Sequence, residues 1–74
     1  MAQVEITAWD VAEAIGAKYI DEDFSPKVQR YVYKFTFGSE RLTIGDDTYV
    51  EDVEDAKSLA GSIIMNRLRS LLQN

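Results

Sequence analysis

Gln29-Arg30-Tyr31-Val32-Tyr33-Lys34-Phe35-Thr36-Phe37-Gly38-Ser39-Glu40-Arg41-Leu42-Thr43-Ile44 decides the fold. Tyr31, Tyr33, Phe35 and Phe37 alternate with Arg30, Val32, Lys34 and Thr36, the period of a strand with one aromatic face. Gly38-Ser39 suits a two-residue hairpin loop of the primed type, whose first position takes a positive φ that glycine adopts without strain. That loop sets a register, with Phe35 opposite Leu42 and Tyr33 opposite Ile44. Apolar residues of both strands then share one face. A slip of one residue would turn Leu42 and Ile44 outward, so turn chemistry and hydrophobic pattern support each other independently.

On the C-terminal side, Gly45-Asp46-Asp47-Thr48 reads as a second tight turn, with Tyr49 opposite Ile44 in a short third strand, Thr48 to Val50. A long helix follows from Val53 to Leu72. Ala56, Leu59, Ala60, Ile63, Ile64, Leu68, Leu71 and Leu72 form its apolar stripe. Asp52 is its N-cap and Asp55 stands at the third helical position, while Arg67 and Arg69 occupy the last turns, as the helix dipole favours. On the N-terminal side, Asp21 to Lys27 reads as a loop, because Pro26 is incompatible with a helix interior and pushes Ser25 extended. Before it, Thr7 caps a short helix with Asp10 three residues on and Ile6 stapled onto Val11. Ala8, Val11, Ala12, Ile15 and Tyr19 form its stripe, and it ends between Gly16 and Ile20. Trp9 falls off that stripe, as a cap on the core edge or an interface anchor. The expected fold is α+β in one compact domain over residues 1–74. It has an N-terminal helix, a three-stranded antiparallel meander and a long C-terminal helix packed on the sheet, with both helices on one side.

At 74 residues the chain is near the lower limit for a self-sufficient core. Its 46% hydrophobic and 11% aromatic content belongs to folded rather than disordered chains. Histidine and cysteine are both absent. That removes the usual general base, the thiolate nucleophile, disulfides and zinc ligation. No Gly-rich phosphate loop is present, and the domain is too small to enclose a sugar between two carboxylates, so an enzyme is not expected and no cofactor is implied. The opening Met1-Ala2-Gln3-Val4-Glu5-Ile6 lacks the basic and apolar regions of a signal peptide, and no run approaches a membrane span. The expected location is the cytoplasm, with no membrane partner.

A net charge of −5 opposes direct contact with nucleic acid, which is itself a polyanion, and favours a basic partner. The charge concentrates in Asp46-Asp47-Thr48-Tyr49-Val50-Glu51-Asp52-Val53-Glu54-Asp55. Turn chemistry accounts for Asp46 and Asp47, and a helix N-terminus for Asp52, Glu54 and Asp55. Glu51 is the residue structure does not require. With Asp21, Glu22 and Asp23 brought nearby, the same residues would form an anionic edge able to occupy a basic groove in place of phosphates. The candidate partner-binding residues are therefore Asp21, Glu22, Asp23, Asp46, Asp47, Glu51, Asp52, Glu54 and Asp55.

The small size, the acidity and the order Tyr33-Lys34-Phe35-Thr36-Phe37, hairpin, Thr48-Tyr49-Val50-Glu51-Asp52-Val53-Glu54-Asp55-Ala56, helix resemble the acidic DNA-mimic anti-CRISPR proteins of phages, over about half of the chain. That resemblance implies an inhibitor acting in the host cytoplasm. It would block the nucleic-acid-binding surface of a basic host protein or nucleoprotein complex. The alternative is a small structural or assembly protein without inhibitory role.

Other constellations are weaker. Ile6 to Gly16 resembles the opening helix of excisionase-like helix-turn-helix proteins, but acidic residues and a strand follow where a basic recognition helix is required. A sheet before a helix also resembles integrase arm-type DNA-binding domains, and Arg30, Lys34, Thr36, Arg41 and Thr43 form a small polar patch on the outward face. Cross-strand polar pairing on a solvated face explains that patch equally. An EF-hand starting at Asp21 would need Gly and Glu where Pro26 and Val32 stand. Ser58, Gly61, Ser62 and Met65 make a second stripe on the long helix. It is either exposed or a close-packing surface for a partner or a second copy, hence a homodimer through that helix.

Overall fold

The computed structural model describes residues 5–73. The reading of Met1 to Val4 as no signal peptide lies outside them. The elements are α1 (Ala8–Ala14), β1 (Lys18–Ser25), β2 (Arg30–Phe37), β3 (Glu40–Ile44) and α2 (Val53–Leu72). The strands form one antiparallel meander in the order β1-β2-β3, and the α+β architecture is the expected one.

The β2–β3 hairpin has the expected register, with Phe35 opposite Leu42 and Tyr33 opposite Ile44. Gly38 takes φ +62° at the first loop position, a conformation in which a Cβ would be strained. The bounds of α2 are those its stripe and caps predict.

The third strand is not where the sequence places it. Residues 48–50 form no strand, and Tyr49 does not pair with Ile44. The segment is a bent connection instead, because Val50 is drawn into the core only two residues before the N-cap of α2. The remaining strand is β1, which takes up Tyr19 to Ser25 where a helix end and a loop are expected. Asp21, Glu22 and Asp23 lie on this strand, opposite Lys34, Tyr33 and Val32. The register shifts between Tyr19 and Asp21, so Ile20 is an extra residue in a bulge. Pro26 begins the turn to β2, whose last residue, Gln29, has φ +58° and hydrogen-bonds the Pro26 carbonyl through its side chain at 2.7 Å.

The core lies on the inner face of the sheet. Phe35 and Ile64 are 1% exposed and form its centre, with Trp9, Ala12, Tyr33, Leu42, Ile44, Val50, Ala56 and Ala60 around them. Burying one such side chain contributes roughly 1.5–3 kcal/mol. Both helices cover this face, and α1 reaches the sheet through Trp9, whose ring meets Phe35 edge-on at 5.2 Å.

Helix α1 is capped as expected. The Asp10 N–H donates to the Thr7 hydroxyl at 3.1 Å and the Thr7 N–H to the Asp10 carboxylate at 3.0 Å. Its buried face differs from the predicted stripe, being Trp9 and Ala12, with Ile6, Val11 and Ile15 exposed. The helix ends at Ala14, so Tyr19 belongs to β1. The reason is Gly61, which is buried rather than exposed: the backbone of Ala8 and Trp9 passes directly over it. The close-packing surface on α2 is therefore met by α1, and Gly61 is not available to a second copy.

Candidate functional site

Asp46, Asp47, Glu51, Asp52, Glu54 and Asp55 collect at the end of the molecule where α2 begins. Three devices hold the chain there. Arg30 Nε donates to the Gly45 carbonyl at 2.9 Å, tying the end of β3 to β2. Gly45 adopts φ +109°, and a Cβ on it would meet the Tyr31 carbonyl oxygen at 3.3 Å and Val50 Cγ2 at 3.5 Å. Val50 then anchors in the core. Between these points Asp46, Asp47, Thr48 and Tyr49 are all exposed.

At the helix start, Asp52 accepts from the Asp55 N–H at 2.9 Å, and the Asp55 carboxylate accepts from the Glu51 N–H at 3.1 Å. These two side chains are engaged in capping. Glu54 pairs with Lys57 at 3.7 Å on the surface, an interaction of the size measured for exposed helical pairs, about 0.3–0.5 kcal/mol. The Glu51 side chain has no ion pair or hydrogen bond among the described residues.

On β1 the strand alternation divides Asp21, Glu22 and Asp23. Asp21, opposite Lys34, and Asp23 both lie on the outer face, and Asp23 pairs with Lys34 at 3.6 Å. Glu22 shares the inner side with its partner Tyr33. Burial first, then the negative charges of Glu22 and Asp52, push the Tyr33 hydroxyl above its ordinary pKa. Burial, then Glu22, does the same to Tyr19. Glu22 from β1 and Asp52 from α2 are thus within electrostatic reach of one phenol. The fold gathers Glu51, Asp52, Glu54 and Asp55 at the N-terminus of α2, with Asp46 and Asp47 on the adjoining loop and Glu22 on the inner side of β1, and, against expectation, turns Asp21 and Asp23 to the outer face.

Lys57, Arg30 and, in the β1–β2 turn, Lys27 stay at this end, and the other cations lie elsewhere. Lys18 and Arg41 flank Thr36 across the sheet, and Lys34 and Thr43 form the next pair on the same outer face. Arg41 and Lys18 make no ion pair among the described residues. Arg30, expected on that patch, is turned to Gly45 and lies 5.7 Å over the Tyr49 ring. Near the other end of α2, Arg67 is hydrogen-bonded to Glu40. Among the described residues, no group of three acidic side chains is arranged to hold a metal ion, and no helix is long and apolar enough to cross a membrane.

Sequence reasoning missed a second component of this end. Phe24, Tyr31 and Tyr49 are 46%, 51% and 67% exposed, although all are large and apolar. They line an open cleft of about 330 Å³ together with Gln29, Arg30, Tyr33 and Glu51. The signal was present as Phe24 inside an otherwise polar segment and Tyr49 inside the acidic run. Protein-family models, curated proteins and solved structures gave no match to this chain.

Proposed function

We propose that this protein acts by binding a basic surface on another protein, its carboxylates taking the place of nucleic-acid phosphates. What carries this reading is charge segregation. Glu22, Asp46, Asp47 and Glu51 are exposed and make no ion pair among the described residues, while the unpaired Lys18 and Arg41 lie on the outer face of the sheet, which they share with Asp21 and Asp23. Duplex DNA presents one charge per about 1.7 Å of axis, and a groove evolved for it gains counterion release from any dense anionic array. In the setting the resemblance implies, the protein is a phage inhibitor of the anti-CRISPR kind, blocking the nucleic-acid-binding surface of a host complex. The test is capture of host proteins at low and high salt, with duplex DNA as competitor. The expected result is loss of a defined partner as salt or DNA rises, and loss of capture on charge reversal of Asp46, Asp47, Glu51 and Glu54. Undiminished capture by that variant would refute the reading.

A second reading, a structural or assembly protein, is favoured by the last turn of α2. Leu71 and Leu72 belong to the apolar stripe yet are largely exposed. Self-association through that turn predicts a sedimentation coefficient that rises with concentration and falls back in Leu71→Asp.

A further inference from the structure

The inner face of the sheet extends beyond its helical cover. Along β2 the inward residues run Phe37, Phe35, Tyr33 and Tyr31, and exposure climbs from 1% at Phe35 and 8% at Tyr33 to 51% at Tyr31. Tyr31 and its cross-strand partner Phe24 therefore lie past the end of the roof, their rings in edge contact at 5.6 Å. Tyr49 borders them from the connecting loop. Soluble domains of this size rarely leave such rings clustered and half uncovered without a partner for them.

We propose that this aromatic corner receives an arginine or lysine side chain from a basic segment of a partner protein, stacked on Phe24, Tyr31 and Tyr49 with its charged head toward Glu51. Aromatic faces attract cations through their quadrupole, and the exposed, unpaired carboxylate of Glu51 lines the cleft, with Asp46 and Asp47 exposed on the same connecting loop as Tyr49. The protein already shows such contacts twice: Lys57 lies over the Tyr19 ring, and Arg30, which lines this cleft, lies over the Tyr49 ring while its Nε is held by the Gly45 carbonyl. Carboxylates alone would accept any cation at long range. The rings add a short-range selectivity for a flat or alkyl-bearing cation over a simple counterion. This assignment rests on the protein-binding role proposed above and gives it an anchor.

The test titrates the whole protein with short arginine-rich, lysine-rich and neutral peptides of equal length at low salt. The expected outcome is binding of the basic peptides alone. Phe24→Ala, Tyr31→Ala and Tyr49→Ala should each weaken it roughly 3- to 30-fold, the range of cation–π contacts. Tyr49→Phe, which keeps the ring, should bind as wild type. Unchanged Trp9 emission shows that each variant is folded, and upfield shifts of the peptide's side-chain methylenes report stacking directly. Basic-peptide binding that is indifferent to all three alanine variants would overturn the anchor and leave the acidic surface standing. Failure of every basic peptide to bind would remove both. Equal binding of the neutral peptide, or burial of Tyr49 by self-association without peptide, would also overturn it.

Discussion

A Cβ on Gly61 would lie 2.4 Å from the Trp9 amide nitrogen and 2.7 Å from its Cα. Real Cβ atoms do not approach backbone that closely, so α1 and α2 cross at a distance only glycine permits. Replacing it with alanine gains about 1 kcal/mol of helix propensity, yet the clash is with backbone, which cannot rotate aside. Gly61→Ala should be destabilising overall, by roughly 1–3 kcal/mol as in other overpacked cores. Urea denaturation followed by Trp9 emission checks this, and a variant as stable as wild type would refute the close crossing.

The caps of α2 separate structure from charge. Asp52→Ala should cost about 0.5–2 kcal/mol, because the Asp55 N–H loses its acceptor. Asp52→Asn keeps an acceptor at the same position and should cost less, while removing one negative charge. Comparing the two by thermal unfolding, and then by partner capture, shows whether Asp52 serves only the helix or also the anionic surface.

Phe35 is the largest fully buried side chain among the described residues. It touches Trp9 from α1 and Tyr19 from β1, with ring centroids at 5.2 and 5.3 Å. Phe35→Ala should destabilise by roughly 3–5 kcal/mol. That is a large part of the stability of a chain this short, so the variant should be substantially unfolded at physiological temperature by circular dichroism.

Alkaline titration probes the two shifted phenols. Burial and then Glu22 raise the folded pKa of both Tyr19 and Tyr33 above the ordinary 10.0. A raised folded value means the protonated phenol contributes stability in full below about pH 10, lost as pH climbs through the folded pKa. Unfolding should therefore become easier in that alkaline window, and less so in Tyr33→Phe. Glu22→Gln should bring both ionisations to lower pH, which phenolate absorbance would follow.

Elements with two agreeing signals were legible in the sequence. Helix α2 has a stripe and caps at both ends, and the β2–β3 hairpin has a pattern and a turn that fix the same register. Strand β1 was hidden because the Ile20 bulge spaces its inward residues Tyr19, Glu22 and Phe24 unevenly, breaking the period of two. Its Asp21-Glu22-Asp23 also has the composition of a loop, which an edge strand tolerates. The pairing of Trp9 with Gly61 was half visible, since each stands off its helix's stripe, but no local signal joins positions so far apart. For the site, Glu51 was identifiable as the carboxylate without a structural task. The aromatic corner was not, because exposure of Phe24, Tyr31 and Tyr49 depends on where α2 begins relative to the sheet.

The meander leaves β1 and β3 with one unpaired side each, and an open strand edge is a template for adding further chains. On β1 that edge carries a bulge at Ile20 followed at once by three carboxylates. An irregular backbone and repeated like charge are both effective against edge-to-edge growth. Asp21, Glu22 and Asp23 thus guard against aggregation whatever the domain binds. Replacing Asp21 and Asp23 with β-branched residues would make β1 a smoother and less charged edge, open to fibrillar stacking.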